Sequence, residues 1–258
     1  MFTSRTASNA RAAMVAACVG LAAAFPVSAC RPAPPSTPQA IASSTIVGSP
    51  SSNPIPTQAA GAAPPTESGI YGDPAAAAKY WQPQSLEDNC GLMSVADVVG
   101  EITGHAPTEQ QMIKLGESTP SQTNSGPIYA PRHDPSHTNG DGGIEMADVV
   151  VLLDHYGIKS EMTYAAHPDQ TGLPALKRYL ADHRKVIAWV NSAVIWDTGD
   201  QRTKADHFLV VTGIDTNREI VHLNDPGADH PDEQVTIPTF ITGWQTGQES
   251  IVVTATLG

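Results

Sequence analysis

A chain of 258 residues with 26 acidic and 14 basic side chains carries a formal net charge of −12 at pH 7. That balance argues against nucleic acid and anionic lipid surfaces as partners, because both repel an acidic surface. The length and a hydrophobic content of 40% suit one large or two small domains.

The first 29 residues do not read as part of a domain. Arg5 and Arg11 precede an apolar run over 12–25 and the small residues Val27, Ser28 and Ala29, the order of an export signal. The run is too short for a stable membrane span. Cleavage after Ala29 would remove both arginines and no acid, leaving Cys30 as the new N-terminus. Val27-Ser28-Ala29-Cys30 resembles the lipobox of bacterial lipoproteins, which implies acylation of Cys30 and a membrane contact through that anchor alone. Plain secretion is the alternative. Residues 30–67 are Pro, Ser, Thr, Ala and Gly with almost no charge. Such a composition cannot offset the entropy of ordering, so a disordered spacer is expected. The folded domain is expected over 68–258, long enough for one core.

Residues 80–100, YWQPQSLEDNCGLMSVADVVG, hold Cys90, the sole cysteine beyond the N-terminal export region and its Cys30. Leu92, Val95, Ala96 and Val99 recur at helical spacing, and Asp88 or Asn89 can cap the helix they define. Cys90 then lies in the first turn, where the helix dipole and unpaired N–H groups suit a nucleophilic sulfur. A lone cysteine is more often a small core hydrophobe, so the case for a nucleophile rests on its partners. An exported chain that keeps one unpaired internal cysteine is unusual, which points the same way.

Further on, Thr108 and Gln111 form a capping box that opens a short helix with Met112 and Leu115 inward. Residues 117–143 read as a long polar loop. A helix is predicted over 144–156 with Ala147, Val150 and Val151 inward, ended by Gly157. An extended piece over 159–164 and a helix over 174–183 follow. Apolar, β-branched runs at 186–190, 208–214, 219–223, 235–237 and 251–254 read as strands. Helices first and strands afterwards predict an α+β fold with an antiparallel sheet.

A cysteine nucleophile needs a base within reach and a third group to orient that base. His207 stands at the entrance of the apolar strand Phe208-Leu209-Val210-Val211, and Asp225 ends the next strand eighteen residues on. Strands joined by a turn around Asp215-Thr216-Asn217 lie antiparallel, so the start of the first sits beside the end of the second. His207 and Asp225 are therefore expected as neighbours.

Cys90-Gly91, Asp206-His207-Phe208 and Asn224-Asp225-Pro226, with Gln84 six residues before the cysteine, together resemble the bacteriocin-processing cysteine peptidases that cut double-glycine leaders. The likeness covers most of residues 80–254. It implies a papain-like fold, N-terminal helices packed on an antiparallel sheet, and a peptide or protein substrate with no cofactor. By it, Cys90 is the nucleophile, His207 the base, Asp225 the orienting acid and Gln84 an oxyanion donor. Two features depart from the exporter-fused members. The gap of 117 residues from Cys90 to His207 is longer, and no transporter follows, which suits a free-standing exported branch. Cell-wall amide hydrolases and acyl transferases share a Cys–His pair, but the wall enzymes usually carry Asp-Cys-Ser-Gly where this chain has Asn89-Cys90-Gly91-Leu92. A binding lipoprotein with an idle peptidase fold is the other alternative.

His133, Asp134, His137, Asp141 and Glu145 crowd one loop, but Asn139 and Asp141 break a calcium-loop pattern and no paired zinc ligands stand elsewhere. A solvated polar loop is expected there, and no metal. His222 should face the sheet, and Trp189 and Trp196, which flank a loop ahead of His207, are expected in the core, with lining of a cleft as the alternative. The oligomeric state is not legible.

Overall fold

The structure is a computed structural model that describes residues 69–130 and 142–256. The export segment, the spacer, Cys30, His133, Asp134, His137 and Asp141 lie outside these residues. A short strand β1 (Ile70–Gly72) and a helical turn α1 (Pro74–Ala77) lead to the central helix α2 (Cys90–Thr103). Cys90 is its first residue, Asn89 its N-cap, and Gly104 closes it at φ 80°. That left-handed conformation is one glycine adopts without a steric penalty. Leu92, Val95, Ala96 and Val99 are all buried, as the periodicity predicts. Residues on the opposite side of α2 are buried too, so this helix sits inside the protein and not on its surface.

Helix α3 (Glu109–Ser118) opens with the expected capping box: Gln111 N–H donates to Thr108 Oγ1, and Thr108 N–H donates to Gln111 Oε1. Helix α4 (Met146–His155) begins two residues later than the pattern suggests. Its buried side chains are Asp148, Val149, Leu152 and Leu153, whereas Ala147, Val150 and Val151 are only partly buried. The rotation has a polar cause. Asp148 accepts from Ser121 Oγ and Gln122 N–H, both at 2.7 Å, and so pins the 119–130 segment to α4.

Strand β2 (Ser160–Thr163) and helix α5 (Gly172–Ala181) precede the inner strand β3 (Val186–Val190). A short helix α6 (Ser192–Ile195) leads to β4 (His207–Asp215), β5 (Ile220–Asn224) and β6 (Glu233–Thr236). Helix α7 (Ile237–Gln245) and strand β7 (Ile251–Thr254) finish the domain. The sheet is antiparallel throughout, in the order β2-β7-β3-β4-β5-β6, with β1 added on β4. An α+β fold with helices on an antiparallel sheet is therefore what the chain adopts.

Two cores lie on the two faces of the sheet. Alternation along each strand divides the side chains between them. Ile187, Phe208, Val210 and Val252 meet α2 and α4, and Val186, Leu209, Val211 and Leu223 meet α5 and α7. The sequence pattern does not anticipate the second layer. Residues 235–237 are not one strand, because β6 stops at Thr236 and Ile237 starts α7. Thr236 caps that helix by accepting from Thr239 N–H at 3.1 Å, and Pro238 sits in its first turn. Phe240 and Trp244 then bury completely, the phenylalanine alone contributing roughly 1.5–3 kcal/mol.

A buried polar brace joins α2 to β5. Asn224 Nδ2 donates to Asp97 Oδ2 at 2.8 Å and to the Ala77 carbonyl at 3.0 Å. Burial, then the nearby Glu101 carboxylate, pushes the Asp97 pKa well above the usual carboxylate range, and Lys185 meets Glu101 at 2.6 Å. The brace holds the residue before Asp225 to the helix that begins at Cys90.

Candidate active site

The start of α2 packs tightly. A Cβ on Gly91 would stand 2.6 Å from Ile144 and 3.0 Å from Phe208, so only glycine lets Cys90 approach the end of β4 this closely. The turn ahead of Cys90 is fixed by Glu109 on α3. Its carboxylate accepts from Ser85 N–H at 2.6 Å, Ser85 Oγ at 2.7 Å and Asn89 Nδ2 at 2.7 Å. Although burial works against the charge, these donors keep the Glu109 pKa below its ordinary value. Tyr129 Oη donates to Asp88 Oδ1 at 2.9 Å and ties the same turn to the 119–130 segment.

His207 opens β4 opposite Val190, and β4 pairs with β5 through Val210 and Asn224, past a register shift between Val211 and Gly213. Asp225, the next residue, reaches His207 Nε2 with Oδ1 at 2.6 Å. Cys90 is the other hydrogen-bonding partner of His207. Asp225 takes Nε2, which leaves Nδ1 as the ring nitrogen open to another partner. The expected neighbours are therefore together, in the order Cys90–His207–Asp225.

Burial disfavours a charge on His207, but the Asp225 carboxylate and Cys90 outweigh it and raise its pKa from 6.5 to about 10. Asp225 is fully buried, which alone would raise its pKa. His207, the Gly227 N–H at 2.6 Å and the Trp196 indole N–H at 2.9 Å reverse that and hold it below the usual carboxylate value. Trp196 also lies over the His207 ring, with centroids 4.9 Å apart. It is 39% exposed and not a core residue, which corrects the packing expected from the sequence. Gly227 makes room for it, since a Cβ there would meet the indole at 2.6 Å.

Cys90, His207 and Gln84 line one cleft of about 960 Å³, with Asp225 behind His207. The Gln84 backbone N–H donates to the Pro226 carbonyl at 2.8 Å, and the Trp81 indole donates to the Asp225 carbonyl at 2.6 Å. These bonds dock the 81–84 segment on the turn that carries Asp225. Gln84 Nε2 donates to the Leu86 carbonyl at 2.8 Å, which spends one of its two N–H groups and leaves the second. Gln82 points elsewhere, donating to the Pro107 carbonyl at 3.1 Å. Exposed Leu86 and Trp196 flank the cleft. Trp189 and Met146 also line a second groove, of about 710 Å³, together with Met162 and Tyr164.

Among the described residues no group of His, Cys, Asp and Glu is arranged to hold a metal ion, and Glu145 is the single member of the polar loop cluster within them. Nor is any described helix long and apolar enough to cross a membrane. His222 is buried in the sheet and meets Asp232 Oδ1 at 2.7 Å. Trp81 and Glu109 escape sequence reasoning, as does the bond from Trp196 to Asp225. Glu109 was legible only as an acid in the first turn of a capped helix, and nothing local marks either indole as a partner of Asp225.

Fold and site define an α+β protein with a buried Cys–His–Asp cluster at the end of its sheet. The chain belongs to the family of an uncharacterized protein of Mycobacterium tuberculosis, Rv1268c, with which it is 42% identical over 196 residues, 72% of this chain and 84% of that one. No family model matches the chain. Among solved structures it is similar to a C39-like peptidase from Bacillus anthracis, at 17% identity and a TM-score of 0.49 over 74% of this chain and 99% of that one. It is also similar to a double glycine motif protease solved with a leader peptide, at 13% identity and a TM-score of 0.41 over 67% and 89% of the two chains.

Proposed function

We propose that this chain is an exported, papain-like cysteine peptidase that hydrolyses amide bonds of a peptide or protein. The observation that carries the reading is His207 standing between Cys90 and Asp225, with Nε2 2.6 Å from Asp225 Oδ1 and Cys90 as its other partner. His207 takes the Cys90 proton, and the sulfur attacks the amide carbonyl to form a C–S bond. The oxyanion is held by the second Gln84 N–H and the backbone N–H of Cys90 at the helix start. The tetrahedral adduct collapses with loss of the C–N bond, and His207 gives its proton to the leaving amine. Neutral His207 then takes a proton from water, whose oxygen displaces the sulfur and releases a carboxylic acid. Asp225 holds the imidazole in place throughout.

The test is a peptidyl vinyl sulfone followed by mass analysis. One adduct, on Cys90, is expected on the native chain, together with hydrolysis of peptides by unlabelled protein. If native Cys90 reacts no faster than in the unfolded chain, the reading fails.

The proposal extends to the N-terminus, on the export-signal pattern and the Cys30 lipobox. Full-length protein expressed in its host should sediment with membranes, and Cys30→Ser should release it, because two acyl chains hold a protein far more firmly than one. Recovery of unmodified mature protein wholly in the medium overturns the anchor.

A further inference from the structure

Behind the triad stands a fourth ionisable group. Glu233 begins the edge strand β6 and pairs with Leu223, two residues before Asp225. Its side chain is in hydrogen-bonding contact with the Asp225 carboxyl group. Two carboxylates cannot share a hydrogen bond unless one of them keeps a proton. Asp225 is the wrong holder, because it already accepts from His207, Gly227 and Trp196, and all three favour its charged form. Glu233 Oε2 is buried, and no N–H or O–H donor of the described residues reaches it. An oxygen so placed is satisfied only if it carries a hydrogen of its own.

We infer that Glu233 is a positioning residue of this site, a neutral carboxylic acid that donates a hydrogen bond to the Asp225 carboxylate and holds it toward His207. The inference rests on the peptidase reading for its consequence, although the contact itself does not.

The charges that face Glu233 come from three places. Asp225 lies at the end of β5, His207 at the start of β4, and His230 in the turn before β6, with Asp229 and Asp232 beside that histidine. Burial first, then the Asp225 charge, raises the Glu233 pKa from 4.5 to about 7, against the opposing pull of His207 and His230. Below that pH Glu233 donates. Above it a second negative charge stands against Asp225, the donated bond is gone, and the carboxylate is pushed away from its place under His207. The site therefore carries a neutral-pH limit that His207, with its pKa of about 10, does not set.

Infrared difference spectra across pH decide the contact without any substrate. A carboxylic acid C=O component that titrates away near neutrality is expected at about pH 6 and is missing from the Glu233→Gln spectrum, while the acid band of Asp97 stays in both. Ordinary glutamates, with pKa about 4.3, are already ionised there. In Asp225→Asn the same band should titrate at lower pH, because the neighbouring charge has gone. Absence of a Glu233 acid band at that pH overturns the inference, whether or not any peptide is cleaved. The positioning role is read from kcat against pH. Glu233→Gln keeps a donor that cannot ionise, so its profile should flatten across neutral pH, whereas Glu233→Leu should lower kcat about tenfold and leave KM, the loss of one hydrogen bond's worth of placement. A Glu233→Gln profile superimposable on that of the wild type overturns the role. A wild type that neither cleaves peptides nor labels at Cys90 instead overturns the peptidase reading, with the infrared result standing apart.

Discussion

Cys90→Ala and His207→Ala are each expected to lower kcat by about 10⁴-fold or more, to the level that oxyanion donors and binding alone sustain. The two groups act as one hydrogen-bonded unit, so the double variant should be no worse than either single one. Multiplying losses in the double variant would mean that the residues work independently and would remove the proposed pairing. Alkylation of Cys90 by iodoacetamide should also slow in His207→Ala. A second readout needs no substrate. The folded state holds the His207 proton more tightly than the unfolded chain, because Asp225 and Cys90 overcome the effect of burial and raise its pKa from 6.5 to about 10. A raised pKa stabilises the fold fully below pH 6.5, and that contribution is lost as pH rises through about 10. Urea midpoints of the wild type should fall over this window, and those of His207→Ala should stay level across it.

The second large effect falls on Gln84. Gln84→Ala should lower kcat about a hundred- to a thousandfold and leave KM nearly unchanged, because the donor acts on charge that develops only in the transition state. Cys90 alkylation should survive the change, since alkylation builds no oxyanion. Gln82→Ala is the control. Its amide bonds the Pro107 carbonyl, so its loss should appear as about 1 kcal/mol of stability and not in turnover. Equal kinetic losses from the two glutamines would assign the segment a folding role, and normal turnover in Gln84→Ala would take that residue out of the site.

The parts of this site visible in the sequence are those tied to backbone pattern. Helical spacing after Cys90 puts the sulfur in the first turn, and two strands joined by a short turn set His207 beside Asp225. Both inferences follow from local periodicity, and the structure agrees with both. What stayed hidden is held by contacts with no periodicity. Trp196 reaches Asp225 across 29 residues, Trp81 across 144, and Glu109 reaches back 24 residues to Ser85. The buried face of α4 departs from the apolar pattern because Asp148 is buried for its hydrogen bonds, whereas a count of apolar residues places an aspartate outside. Helix α7 is hidden in the sequence for a different reason. Thr236 with Pro238 is a legible start signal, but Val235-Thr236-Ile237 satisfies a strand pattern equally well, and nothing in that short window ranks the two.

The docking of Gln84 on Pro226 spans 142 residues, and the brace from Asn224 to Asp97 spans 127. Contacts of such separation carry a loop-closure cost that local contacts do not, which slows folding. During synthesis the sulfur of Cys90 emerges first, and its imidazole follows only after more than a hundred residues. Until β4 and β5 have paired, the nascent chain carries an ordinary thiol with no base beside it. On the proposed peptidase reading, reactivity and completed folding arrive together, and a chain still unfolded cannot yet cut its neighbours.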